Sequence, residues 1–109
     1  MGWAGVFIEK LRNGETVQFR PRGQSMRGKI ESGQLCTVEP LMHELGVGDI
    51  VLCKVKGKEY LHLIKAIDGE RFQIGNNQGG INGLVGRSGI FGKATKIEPG
   101  NTPRQSKTE

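Results

Sequence analysis

The chain has 109 residues, a formal net charge of +5 and 18 glycines. A charged fraction of 25% and a hydrophobic fraction of 35% are ordinary for a globular protein, and they exclude a chain that is disordered throughout. The length favours one domain with a modest core. The basic balance permits contact with nucleic acid, but the lysines are scattered and few aromatic residues lie among them, so nucleic-acid binding is the less favoured alternative.

Residues 5–11 are predicted to form a short helix. Residues 75–89 are rich in glycine and asparagine and are predicted to form a loop. The tail from residue 98 is polar and is predicted to be disordered, which gives a β domain over 1–97 and a tail over 98–109. Segments with apolar, β-branched or alternating patterns predict six strands: 15–20, 35–39, 49–56, 59–67, 71–74 and 90–97.

Short strands with frequent turns predict a mainly β fold, a small single-domain β-barrel or sandwich of short antiparallel strands. Periodicity does not separate the barrel from the sandwich. The segments 49–56 and 59–67 flank Lys56-Gly57-Lys58, and they predict the central hairpin.

The two cysteines, Cys36 and Cys53, match no common zinc or redox spacing, so we expect free thiols in buried strands and neither metal nor cofactor. No apolar run approaches the ~20 residues of a membrane span. The start of the chain, residues 1–11, lacks the apolar stretch of a signal peptide. These features favour a cytoplasmic protein without a membrane anchor.

The segment Gly23-Gln24-Ser25-Met26 predicts a glycine-flanked turn. A serine is a poor nucleophile unless a neighbouring base takes its proton. On residue types alone, Ser25 is a turn residue.

The stretch GQSMRGKIESGQLCTVEP resembles the pattern G-x-S-M-x-P-x-I-x-x-G-D-x-V-x-V of the LexA and signal-peptidase superfamily of serine peptidases. Four later segments resemble further markers of this family in the right order: 47–51 the G-D-I-V strand start, 60–64 the strand of the base, 75–77 the G-D-N-N turn and 90–94 the closing strand. Each piece is weak alone, and the ordered set is specific.

The resemblance implies that Ser25 is the nucleophile and His62 the general base. The base is a lysine in LexA-type repressors and bacterial signal peptidases, and a histidine in those of archaea and the endoplasmic reticulum. Backbone donors at Ser25 and Gly23 are implied for the oxyanion. The supporting residues at matched positions are Met26, Asn76 and Asn77. The other histidine, His43, has no family counterpart and is expected to be exposed.

The period of two along a strand places Tyr60, His62, Ile64 and Ala66 on one face. Lys65 is then on the opposite face and is the poorer candidate base. An imidazole with a pKa near ~6.5 accepts a proton at neutral pH without the desolvation that a lysine needs.

Several positions depart from the family pattern. Gly28 replaces a proline, Gln34 an acidic residue and Leu63 an arginine. The acidic third residue of the histidine-type enzymes is missing from the turn, where Asn76 directly follows glycine. Gly23 stands where some signal peptidases supply an oxyanion hydroxyl. The departures predict a slow or inactive site.

Neither a membrane anchor nor a helix-turn-helix precedes Ser25, so the chain resembles the stand-alone mutagenesis and phage proteins of this group. Those cleave themselves at Ala-Gly or Cys-Gly, and Ala4-Gly5 is such a dipeptide. The leading hypothesis is a domain that binds an extended peptide or protein substrate at a strand edge and hydrolyses it. The alternatives are a degenerate member that only binds peptide and a basic barrel that binds nucleic acid. The sequence does not decide between a monomer and a homodimer.

Overall fold

The computed structural model describes residues 3–21, 26–31, 33–41 and 44–100, with the backbone alone at 99 and 100. Within these ranges the helix α1 spans Gly5–Arg12, and a 3₁₀ turn, Arg87–Gly89, precedes the last of the described strands. The seven strands, in chain order, are β1 Val17–Phe19, β2 Gln34–Pro40, β3 Ile50–Val55, β4 Lys58–Asp68, β5 Arg71–Gly75, β6 Ile81–Gly86 and β7 Ile90–Gly100.

The strands form one antiparallel sheet in the order β1-β2-β7-β3-β4-β5-β6. The prediction of a mainly β fold is confirmed. The prediction of a barrel or a sandwich is wrong, because all seven strands share one sheet and that sheet is not closed. The physical reason lies in β7, which pairs with β2 on one side and β3 on the other and so joins the pair β1-β2 to the four strands β3-β4-β5-β6 in one sheet. The terminal strands β1 and β6 are not neighbours, so the sheet keeps two edges.

The predicted central hairpin is confirmed by β3 and β4. Val55 pairs with Lys58, which leaves a loop of two residues. Lys56 and Gly57 in that loop have φ values of 52° and 84°. Positive φ at both central residues matches the right-handed twist of a tight hairpin, so the glycine is required there.

Both faces of the sheet are covered by apolar side chains, because β3 and β4 alternate between two clusters. Leu52, Leu61 and Leu63 pack with α1 and β1 in the first cluster. Val51 and Ile64 belong to the second cluster, with side chains from β5 and β7. The two cysteines lie one in each cluster as free, buried thiols, which confirms the prediction made for them.

The prediction of a loop over residues 75–89 is wrong, because β6 forms within it and pairs with β5. Glycine and asparagine disfavour a strand on composition, but the pairing and packing of the neighbouring strand override that preference. Gly83 has a φ of 149°, and a Cβ added there would lie 3.1 Å from Val55 Cγ1. The glycine therefore allows β6 to approach β3. At the other end of the chain, β7 continues past the predicted strand end at Ile97.

In the part of the chain that the structure describes, no helix has the length and apolar character needed to cross a membrane.

Candidate functional site

His62 occupies the middle of β4, where it pairs with Val51 of β3. Its side chain is 7% exposed, and among the described residues it is the only polar or charged residue that is buried. Its neighbours at the period of two, Tyr60 and Ile64, both pack in the second cluster. The predicted common face of Tyr60, His62 and Ile64 agrees with this packing, and an imidazole there lies in largely apolar surroundings.

Asn82 of β6 contacts the imidazole, although β5 lies between β4 and β6 in the sheet. The distance from His62 Nδ1 to Asn82 Oδ1 is 2.6 Å. A carboxamide oxygen has no hydrogen, so Nδ1 donates and Oδ1 accepts. The proton is therefore held on Nδ1, and Nε2 keeps the lone pair that accepts a proton. This is the tautomer that a general base acting through Nε2 requires.

A bulge in β6 explains how Asn82 points at His62. The register pairs Gly75 with Ile81 and Ile74 with Gly83, and so steps over Asn82. A β-bulge re-aims a side chain relative to strict alternation. In a regular strand without the bulge, the adjacent residues Asn82 and Gly83 would point to opposite faces of the sheet.

Burial and the hydrogen bond to Asn82 set the pKa of the imidazole, and Tyr60 packs against its ring. The ring of Tyr60 stacks on that of His62 with the centroids 4.8 Å apart and an interplanar angle of 28°. Burial lowers the pKa of His62 below its ordinary value, and the hydrogen bond to Asn82 offsets only part of this effect. The lowered pKa of His62 favours the neutral imidazole, which is the state a general base needs.

A second bulge, at Lys65, changes the geometry predicted for β4. Ile64 pairs with Ile74 and Ala66 with Gln73, so the register steps over Lys65. Because adjacent residues of β5 face opposite sides, Ala66 does not share the face of Ile64, and this part of the prediction is wrong. The Nζ of Lys65 donates to the carbonyl oxygen of Asn76 at 3.0 Å.

Asn76 organises the turn between β5 and β6, named here the 76–80 turn. Its amide donates to the carbonyl oxygen of Gly80 at 2.9 Å. Its side-chain oxygen accepts from the amides of Gln78 and Gly80, both at 2.8 Å. A side chain that satisfies two amides in this way fixes a tight turn. The 76–80 turn directly follows Gly75, which pairs with Leu63, the residue after His62.

The next residue, Asn77, connects this turn to the segment that follows Ser25. The amides of Lys29 and Ile30 donate to the carbonyl oxygen of Met26 and form the 26–30 turn. Met26 and Ile30 anchor that turn in the first apolar cluster. Asn77 Nδ2 donates to the carbonyl oxygen of Arg27 at 2.8 Å. The side chain thus joins segments that are 50 residues apart in sequence.

Of the predicted site residues, Gly23 and Ser25 lie outside the described residues, as does His43. The structure places Met26, Asn76 and Asn77 as described above, and it brings Asn77 to the residue after Met26. The family proline at the position of Gly28 does not suit this backbone, because Gly28 has a φ of +98° and proline holds φ near −65°.

The dipeptide Ala4-Gly5 is not presented as an extended substrate. Ala4 is fully buried, and its carbonyl oxygen accepts the amide of Ile8 at the start of α1. Its own amide donates to Glu59 Oε1 at 3.1 Å. Cleavage at this bond would first require the start of α1 to unfold.

Sequence reasoning missed Asn82. It lies in the segment predicted as a loop, and its contact with His62 depends on a bulge that no local pattern indicates. An asparagine that follows the G-D-N-N-like turn, in a chain without the expected acidic residue, is the one signal that could have drawn attention to it.

No group of three or more His, Cys, Asp or Glu side chains within the described ranges is arranged to hold a metal ion. Comparison with protein-family models, with curated proteins and with solved structures found no match to this chain.

Proposed function

We propose that this protein is a peptidase-like domain of the LexA and signal-peptidase type, in which Ser25 attacks an extended peptide and His62 takes its proton. The single observation that carries the proposal is the setting of His62, which is buried, has a pKa lowered by that burial and is hydrogen-bonded through Nδ1 to Asn82. A buried histidine on an apolar sheet face contributes little to packing that an aliphatic residue would not, and its polar partner is costly to place there. A perturbed, oriented imidazole is typical of a functional site.

In the proposed reaction, His62 Nε2 accepts the proton of the Ser25 hydroxyl as the oxygen attacks the scissile carbonyl carbon. The imidazolium then donates that proton to the leaving amine, and water completes hydrolysis of the acyl-enzyme by the same route. Asn82 holds the imidazole ring and its tautomer through both steps. The oxyanion is held by backbone amides at Ser25 and Gly23.

The scaffold supports a slow enzyme. Asn82 orients the imidazole but, being uncharged, does not stabilise the imidazolium as a carboxylate does. The glycine at position 23 supplies no hydroxyl for the oxyanion, and the loss of one donor of that kind costs roughly 10²–10³ in rate. The substrate we propose is a separate peptide or protein, because Ala4 is buried at the start of α1.

The test is hydrolysis of a diverse peptide library followed by mass spectrometry, with the wild type, Ser25→Ala, His62→Ala and the double variant. We expect slow cleavage by the wild type and loss of most of it in either single variant. The double variant should lose little more, because the two groups act as one unit. Equal cleavage by the wild type and Ser25→Ala would refute the proposal, and a protein that binds library peptides without cleaving them would be a binding module instead.

A further inference from the structure

Two turns that are distant in sequence meet at one side chain. The 26–30 turn directly follows Ser25 in the sequence. The 76–80 turn directly follows Gly75 of β5, which pairs with Leu63, the residue after His62. Asn77 Nδ2 lies 2.8 Å from the carbonyl oxygen of Arg27. We propose that Asn77 is a positioning residue that, through this hydrogen bond, holds the 26–30 turn, which follows Ser25 in the sequence, against the strand pair carrying His62. This inference rests on the proposed function.

The Asn77 end of the contact is held by the hydrogen bonds of Asn76. The side-chain oxygen of the neighbouring Asn76 accepts hydrogen bonds from two amides of the 76–80 turn. The carbonyl oxygen of Asn76 accepts a hydrogen bond from Lys65 Nζ, at the bulge in β4. The stem of Lys65 also lies against Gly75, since a Cβ added at Gly75 would be 2.9 Å from Lys65 Cγ. Asn77 is therefore presented by a turn that is tied directly to the His62 strand.

The Arg27 end is shaped to receive it. Gly28 has a φ of +98°, and a Cβ added there would lie 2.9 Å from Asn77 Nδ2. Its amide donates to Glu31 Oε2 at 2.9 Å, which keeps the turn closed. The absence of a side chain at Gly28 lets the carboxamide approach the backbone, so Gly28 and Asn77 form one matched contact.

The donor is what matters in this contact, because Asn77 meets a carbonyl oxygen. Asn77→Asp keeps the shape of the side chain and replaces the donor with an acceptor, which places a carboxylate against the carbonyl oxygen of Arg27. Asn77→Ala removes the contact without that repulsion. Gln78→Ala is the matched control, because Gln78 lies in the same turn and is exposed.

The first readout needs no catalysis. Arg27 is exposed, and trypsin cleaves after arginine when the surrounding backbone opens. The open population of a segment governs such cleavage, and one lost hydrogen bond changes it by roughly 2- to 12-fold. We expect cleavage after Arg27 to accelerate by about that factor in Asn77→Ala and by more in Asn77→Asp, with Gln78→Ala cleaved at the wild-type rate.

The second readout is the rate at which a fluorophosphonate probe labels the protein, measured well below the melting temperature of each variant. A small misplacement of reacting groups costs up to roughly 10²-fold. We expect labelling to fall about tenfold to a hundredfold in both Asn77 variants. The pH midpoint of labelling should not move, because burial and Asn82 set the pKa of His62.

The two readouts separate the possible failures. Wild-type rates of cleavage after Arg27 in both Asn77 variants overturn the inference, whatever the probe does. Faster cleavage with an unchanged labelling rate also overturns it, because the contact would then stabilise the turn without positioning the nucleophile. A wild-type protein that the probe never labels refutes the proposed function, whereas faster cleavage in the same variants would still support the hold of Asn77 on the turn.

Discussion

Replacing Asn82 by aspartate tests the orienting role of that residue with a change of one atom. Asn82 Oδ1 lies 2.6 Å from His62 Nδ1, so the carboxylate of Asn82→Asp would accept the same proton and add a negative charge beside the ring. The histidine-type members of the resembled family have an acidic residue in this role. The variant should therefore be faster than the wild type, whereas Asn82→Ala, which leaves Nδ1 without this acceptor, should be slower.

The magnitude follows from what the wild-type contact lacks. An opposite charge at this range raises the pKa of an imidazole by about one to three units, and burial of the carboxylate offsets part of that rise. Each unit corresponds to about 1.4 kcal/mol, or about tenfold in rate where it is realised in the transition state. Asn82 already holds the correct tautomer, so the gain comes from stabilising the imidazolium alone. We expect an acceleration of about tenfold to a hundredfold at pH 9, where His62 stays largely neutral.

The assay is the second-order rate of fluorophosphonate labelling at pH 9, together with the NMR titration of the His62 ring. Gln78→Glu is the control, because it adds the same charge on an exposed part of the 76–80 turn. Labelling of Asn82→Asp and Asn82→Ala at the wild-type rate, with the same titration midpoint of His62 in all three proteins, would refute an orienting role of Asn82.

Four further outcomes are expected. The labelling rate of the wild type should rise with pH to a plateau with its midpoint below 6.5, because burial lowers the pKa of His62, and a midpoint above pH 8 would indicate a different base. In urea unfolding, the contribution of neutral His62 to stability should be complete above about pH 6.5, the pKa of the unfolded chain, and should be lost as the pH falls through the lower folded-state pKa, because the unfolded chain binds more protons. Burial raises the pKa of Cys36 to about 11 and that of Cys53 to about 12. A thiol reagent at pH 8 should therefore leave the native protein unmodified and react with two thiols after denaturation. Rapid modification of either cysteine in the native protein would contradict the packing. Gly83→Ala should lower the free energy of unfolding by about 1–3 kcal/mol, because Gly83 has a positive φ and an added Cβ would lie close to Val55. In the control Gly86→Ala, the added Cβ meets nothing within 4 Å, and the free energy of unfolding should change by less than about 1 kcal/mol. Equal effects of the two substitutions in urea titration would argue against the close approach of β6 to β3.

The parts of the fold that were predictable are those that depend on local pattern. The central hairpin followed from two β-rich segments around Lys56-Gly57, and α1 from a short apolar face. Residues 81–86 were predicted as part of a loop because glycine and asparagine are uncommon in strands, whereas this strand is stabilised by its pairing with β5. The open sheet was missed because the lateral order of strands depends on the long partner β7, and no periodicity encodes that order.

The candidate site divides in the same way. The ordered resemblance of short motifs predicts His62, Asn76 and Asn77 as candidate site residues. Asn82 could not be predicted, because its contact depends on a bulge that shifts side chains by one position relative to strict alternation. The same effect at Lys65 turned Ala66 away from the face predicted for it. Bulges arise from tertiary pairing, so reasoning from strand periodicity fails at the residues around them.

The most direct measurement of the central claim is the mass-spectrometric identification of the residue that a fluorophosphonate probe modifies. The proposed mechanism predicts one adduct, on Ser25, that forms slowly in the wild type, is absent from Ser25→Ala and forms at least tenfold more slowly in His62→Ala. An adduct on another residue, no adduct at all, or an equal rate of modification in His62→Ala would contradict it.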